Sequence, residues 1–501
     1  MNAMEAMDAQ DTADLLARLK RAKERWLADE VFRDKAAHDW PAALEEYHLT
    51  APQTLTRAVL APYDAGLVDR GAPLDEAQRR VVRLFLERET VYMNFVYLED
   101  GRFEGCLPAY LRWRERQIAR NIVARGYAGM MALHLPFAVE LSDGCSVGCW
   151  FCGLSPDKFR GHREATPQAL REWRQVLRAM HGMFGRYAQR GFLYWATDPL
   201  DNPDYEVFAD VFAEELGRWP VTTTSLAAKD LERTRALIER GREKRTPSSR
   251  FSITTLKMQD KIHRYFSAEE LHDVDMVPVN KGSFLGLAQA GSVLEMAEKQ
   301  PQRAAREKQK LENIRINMQA DDWDSSRQGE YAHETICCVA GFLVNLVKRS
   351  VELITAVKAS HLYPKGYEVL ESATWDDAAQ FGDIIGAMVR RRMTATPPDD
   401  GQLVLHPAIA VRADGGGCWF EAKRGYRKRF ELPSAPGLHA AVADALRVAG
   451  NPESVAPVAE IRRRLSSAAD VAPALVGDAL CELWQAGVLV EPGWARLETA
   501  R

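Results

Sequence analysis

LHLPFAVELSDGCSVGCWFCG, residues 133–153, joins a strand pattern directly to a cysteine loop. Residues 133–142 are an apolar run of strand length. Cys145, Cys149 and Cys152 follow at i, i+4 and i+7. Three thiolates at that spacing, in a loop just after a strand, can converge on one cubane and leave its fourth iron without a protein ligand. The interleaved glycines let such a loop fold tightly. The alternative is a zinc site of three Cys plus a nearby His. Zinc modules usually carry paired CxxC spacings, and no second pair is present.

Downstream, strand and helix patterns alternate. GFLYWAT (191–197), PVTTTSLA (220–227), SRFSITTL (249–256) and VDMVPVN (274–280) read as strands. Helical stretches lie at 166–187, in NPDYEVFADVFAEELGRW, in KDLERTRALIERG and in the short SAEELHD. That alternation implies parallel βαβ units with right-handed crossovers. With a sixth strand expected near 351–357, the count suits a partial α/β barrel better than a closed eight-fold one. Residues 1–130 read as a helical region that includes a helix from Pro108 to a stop at Gly126. The charged stretch 295–332 reads as solvated helix and loop, and the apolar stretch 333–357 as buried. Pro397–Gly401 is a linker. Residues 402–501 read as a β-ribbon, three helices and a small β-wing, an order like that of a winged helix. The expected division is therefore 1–130, 131–396 and 402–501.

With 66 basic and 70 acidic residues the net charge is −4, which calls for neither a nucleic acid nor an anionic membrane. No apolar run approaches a membrane span, and the acidic N-terminus lacks the plan of a signal peptide, so a cytoplasmic protein is expected. Eight cysteines in 501 residues are too few for a disulfide scaffold. Clustered thiols in a reducing compartment read as metal ligands or reactive groups.

The CxxxCxΦC pattern, with Phe151 at the aromatic position and its place after the first strand of a βα series, resembles the radical S-adenosylmethionine (SAM) superfamily. The resemblance implies a [4Fe–4S] cluster on Cys145, Cys149 and Cys152. It also implies SAM chelated to the open iron and reductive cleavage to a 5′-deoxyadenosyl radical that abstracts hydrogen from a substrate. The cofactor supplies the hard chemistry, and the protein supplies aim. A flavodoxin or ferredoxin is the expected electron donor. Further SAM contacts are implied at Phe151, Gly153, Thr197, Asp198, Ser252 and Thr254. Asp198 stands where the superfamily has a Gly-Gly-Glu-like segment, and the Gly and Glu are replaced here. A turn acid is the plainer reading of Asp198, and a strand hydroxyl that of Ser252 and Thr254.

The DGCSVGCWFCG loop, the ATDPLDNPDY segment, the CVAGFLVN segment and the RWRERQIAR helix together resemble the proteusin-type radical SAM peptide epimerases, over residues 80–395. The implied reaction takes the Cα hydrogen of an L-residue in a ribosomally made precursor peptide (leader plus core). A thiol then returns a hydrogen from the opposite face, which gives the D-residue. Donation needs a protonated thiol, and an apolar setting favours it. Cys338 is the first candidate donor and Cys337 the second. On a helix they would point about 100° apart. The plainer reading makes both small buried hydrophobes. His333, four residues before Cys337, could share its face.

Two rivals remain. One is another radical SAM maturase that forms carbon–carbon or thioether crosslinks. The other is a metal-stabilised winged-helix binding protein. For DNA, the third C-terminal helix, VAPALVGDALCELWQAG, would have to read the groove, yet it holds no Lys or Arg and carries Asp478 and Glu482, the wrong charge for phosphates. Docking of a leader peptide on a sheet edge suits that unit better.

Overall fold

The computed structural model describes residues 9–61, 63, 73–126, 133–285, 287–306, 309, 335–414, 417–422, 425–447 and 456–494. His333 and most of the charged stretch 295–332 lie outside them. The chain is mixed α/β, and among the described residues none of its sheets closes into a barrel.

Two sheets matter for the site. The first runs in the order β1 (Leu135–Glu140), β5 (Val339–Asn345), β6 (Ser350–Ala356), β7 (Tyr367–Thr374). The second is parallel, in the order β2 (Thr223–Thr224), β3 (Ser249–Ile253), β4 (Val274–Pro278). The expected strand 191–197 contributes a single parallel bridge, Phe192 to Ala138. Its ladder stops because the Ala196 N–H is taken by the Glu140 side chain, 2.9 Å away.

The strand expected near 351–357 is present as β6, but it runs antiparallel to β5. Only Leu346–Arg349 separate the two, far too few residues for a parallel crossover. The strand that pairs parallel with β1 is β5, from Leu135↔Val339 to Glu140↔Asn345. Gly341 permits this pairing: its φ is +151°, and a Cβ there would stand 1.9 Å from the Pro136 carbonyl oxygen. The short helix expected at SAEELHD is a turn. The helix here is Leu256–Tyr265, started earlier by Thr255, whose hydroxyl accepts from the Met258 N–H.

Helices Pro167–Phe184 and Tyr205–Leu216 cover one sheet face, with Phe137 stacked 5.9 Å from Phe184 and the Trp173 indole N–H bonded to the Phe208 carbonyl. Thr166 caps the first of these helices and Gly217 ends the second in the left-handed region. The N-terminal helix Ala9–Ala28 is fixed to the second sheet's layer through Arg21 to the Phe266 carbonyl, Arg25 to Asp260, and Glu24 to His263.

Strands Ile409–Asp414, Gly417–Ala422 and Arg427–Glu431 form a three-stranded antiparallel sheet, followed by helices Leu438–Ala445, Val458–Ala469 and Pro473–Gln485. The last helix packs against Pro108–Arg125. There the Arg116 guanidinium lies 3.5 Å over the Trp484 ring, and Arg120 pairs with Glu491 at 2.6 Å. Among the described residues no helix is long and apolar enough to cross a membrane.

His406 is fully buried in this unit, and its Nδ1 accepts the Ala408 N–H at 3.1 Å. Burial holds its pKa down to about 3. As pH falls, the unfolded chain binds this proton first. His406 therefore contributes stability above about pH 6.5, and it should lose about 1.4 kcal/mol per pH unit as pH falls toward its folded pKa. Denaturant unfolding of wild type and His406→Asn between pH 7 and pH 4 should show a shallower acid slope in the variant; equal slopes would refute the assignment.

Candidate functional site

The cysteine loop leaves the C-terminal end of β1. It is pinned by Cys145 N–H to the Asp157 carbonyl (3.0 Å) and by Phe159 N–H to the Cys145 carbonyl (3.2 Å). Gly144 (φ +80°) is required, because a Cβ there would stand 2.3 Å from the Lys158 carbonyl oxygen. Asp201 holds the loop from outside, accepting the Ser146 N–H at 2.8 Å and its hydroxyl at 2.5 Å. Segment 290–292 closes over it through the Ser292 N–H to the Cys152 carbonyl (2.9 Å).

The three thiols lie within each other's field. Burial pushes Cys149 up to about 12, with Cys152 and Cys145 adding to the rise and the Ser225 side chain opposing it. Cys145 is pushed up to about 11, again chiefly by burial. Among the described residues no set of three or more His, Cys, Asp and Glu meets the geometry of a metal-ion site. A single zinc ion needs all its ligands within about 2.3 Å of one point, whereas a four-iron cluster takes each thiolate on a separate iron. Of the carboxylates, Asp198 lies within the field of Cys145 and Cys149, and Asp201 within that of Cys145.

Asp198 is buried. It accepts from the Thr224 hydroxyl (2.7 Å), the Ser225 N–H (2.7 Å) and the Leu200 N–H (3.0 Å), and burial raises its pKa to about 6. It is thus a turn acid that also ties the 198–201 segment to the residues behind Cys149. Thr197 is part-buried beside it. Phe151 packs edge-on against Trp150, 5.5 Å between centroids, and Gly153 lies under Ile336. Ser252 sits on β3 opposite Val277, while the Thr254 hydroxyl turns to the Met258 sulfur at 3.8 Å.

Cys337 and Cys338 are not helical. They lie in irregular chain just before β5, and their thiols meet different neighbours. Cys337 is 1% exposed, and its thiol faces the Val339 carbonyl. Cys338 is part-buried and faces Arg250, and burial pushes its thiol up to about 12 against that positive charge. Tyr92, Tyr97 and Tyr194 also lie within its field. The structure thus separates the pair and brings only Cys338 to the interior polar cluster.

Glu140, Asn345, Ser225 and Arg250 were missed from sequence. Glu140 accepts from the Ala196 N–H and the Asn345 side chain (both 2.9 Å), and burial raises its pKa. With Trp195, Asn345, Glu352, Lys365 and Tyr367 it lines a cavity of about 210 Å³ beside the loop. Arg250 was legible, since it alternates onto the face of Ser252.

No family model matches the chain, and no solved structure matches it. The chain is 34% identical over 307 residues to an uncharacterized protein, y4wI, of Sinorhizobium fredii (strain NBRC 101917 / NGR234). The match covers 60% of this chain and 55% of that protein, so the chain spans about half the length of its curated relative.

Asp201→Ala removes both acceptors of Ser146. A hydrogen bond to a charged group contributes about 1.5–3 kcal/mol, so the Ser146 amide should exchange with solvent about tenfold to a hundredfold faster. An unchanged rate would show that Asp201 does not hold the loop.

Proposed function

We propose that the chain is a radical SAM enzyme that inverts residues of a ribosomally made precursor peptide. The observation that carries this reading is the loop of three neighbouring thiols at the end of β1, with Asp198 and Ser225 packed behind it. On this reading Phe192, β2, β3 and β4 on one side of β1, and β5 on the other, make an open arc of parallel strands, a partial barrel. Cys145, Cys149 and Cys152 would hold the [4Fe–4S] cluster. With SAM bound, it supplies a carbon radical able to take a Cα hydrogen.

The chain's own residues do the rest. Asp198, Thr197 and the backbone at Phe151 and Gly153 stand beside the loop to orient the cofactor. Cys338 keeps its hydrogen on sulfur at neutral pH and gives it to the planar Cα from the far side. The Cys338 carbonyl is bonded to the N–H groups of His134 and Leu135 at the start of β1, and the cysteine loop begins at its end. The two thiol sites are thus about one strand length apart, roughly 17 Å at 3.3 Å per residue. Cys337, turned away from the interior cluster, is the structural member of the pair.

In the C-terminal unit, the edge Arg427–Glu431 pairs on one side only among the described residues. That edge suits a leader peptide added as a strand. The DNA-binding rival loses ground, because the helix it needs is packed against Pro108–Arg125 through Trp484.

Co-expression with a precursor peptide in heavy water tests the reading. It predicts one mass unit per inverted residue, D-residues on hydrolysis, and loss of both in Cys338→Ala. A mass loss of about two hydrogens that survives in Cys338→Ala would instead mark a crosslinking maturase.

A further inference from the structure

A cavity of about 430 Å³ lies between helices Ala9–Ala28 and Glu76–Glu89 and the N-terminal ends of β3 and β4. The cysteine loop, by contrast, leaves the C-terminal end of its strand. Four cationic side chains line the cavity, Lys20, Lys23, Arg88 and Arg250, with four carboxylates, Glu24, Glu89, Asp273 and Asp275. Each carboxylate is already engaged. Glu24 takes Lys20 and, at 3.1 Å, His263. Glu89 takes Lys23. Asp273 takes Arg242 at 2.9 Å and His272 at 2.8 Å, and Asp275 meets Arg250 at 3.5 Å. The Tyr92 hydroxyl is engaged too, 3.2 Å from His134 Nε2, while the Tyr97 hydroxyl lies 3.1 Å from Nδ1 of the same ring.

Arg88 is left over. Among the described residues its guanidinium makes no hydrogen bond or ion pair, and its Nη1 is buried. A guanidinium does not shed its charge, and a partly buried charge without a partner is costly. Burial accordingly pulls the Arg88 pKa down, against the fields of Asp273 and Glu24. With Arg242 included, five cationic side chains meet four carboxylates, so one positive charge remains, on Arg88. The rest of the lining is apolar or aromatic: Leu27, Tyr63, Met276, Val277 and Leu285. Exposed Glu89, Val91 and Asp275 line the rim, so the cavity is reached from solvent.

We propose that this cavity is a binding site for a small organic anion, a carboxylate or phosphate ester with an apolar body, and that Arg88 holds its charged group. The flat guanidinium fork matches two oxygens of either group. One anionic group balances the one unmet charge, and the apolar lining takes the body. The volume lies in the range of small-molecule sites. The site is separate from the cysteine loop and stands whether or not that loop carries a cluster.

Calorimetric titration of the full chain with benzoate and phenyl phosphate tests the site, with inorganic phosphate and the cation benzamidine as controls. At least one of the two organic anions should bind at one per chain. Inorganic phosphate, which lacks the body, should bind at least tenfold more weakly, and benzamidine not at all. Arg88→Met should weaken binding by about tenfold or more, the factor that one hydrogen bond to a charged group is worth. Arg88 also lies in the last turn of its helix, where a cation is favourable. A helix-end role alone predicts that Arg88→Met lowers the Tm of the ligand-free chain and leaves anion binding as it was. The binding role predicts a ligand-free Tm at least equal to wild type, and a Tm that the anion no longer raises. Where Arg88→Met is too unstable to titrate, Arg88→Lys decides, because it keeps the helix-end charge and loses the fork; it too should bind about tenfold more weakly. No binding of either organic anion to wild type, or equal binding to wild type and Arg88→Lys, would overturn the proposal.

Discussion

The parallel pairing of β1 with β5 is the constraint on which the site depends. One strand pair carries both thiol sites: the cysteine loop leaves the end of β1, and Cys338 precedes the start of β5. Main-chain bonds from His134 and Leu135 to Cys338 set the lower end, and the Asn345 side chain on Glu140 sets the upper. Gly341 allows the close approach between them. A slip of one residue would turn every side chain of β5 to the other face.

Around that pair, buried polar groups are joined into small networks whose loss would be costly. Glu140 closes the end of β1 by taking the Ala196 N–H, which ends one ladder and aims the 196–201 turn at the loop. Asp198 continues the chain of contacts to Thr224 and Ser225, and Asp201 returns it to Ser146. Asp201 thus holds the loop directly, and Asp198 reaches it only through Ser225. The N-terminal helices play a corresponding part at the other end of the strands, where they roof the cavity next to Tyr92 and Arg250.

Much of this was legible in the sequence where the determinants are local. The loop spacing, the β1 run, the Thr166 helix start and the alternation in 249–254 all read directly. Long-range pairing did not. The place of β5 beside β1 joins residues about two hundred positions apart, and an apolar run does not say which neighbour it will choose. The strongly apolar stretch 333–357 leaves helix and strand both open for the cysteine pair; β-branched content and the tight turn at Leu346–Arg349 argue for the hairpin that forms. The Tyr92–His134–Tyr97 group is assembled from the short helix Val91–Met93, the π-helical turn Asn94–Leu98 and the residue just before β1, so no spacing rule reaches it.

The central claim is that Cys145, Cys149 and Cys152 carry a cluster with one open iron. Electron paramagnetic resonance of the anaerobically reconstituted, reduced protein, recorded with and without SAM, tests it most directly. The account predicts a [4Fe–4S]⁺ signal whose shape changes on SAM addition and which is lost in Cys149→Ala. A signal indifferent to SAM, or a protein that takes up one zinc per chain and no iron, would contradict it.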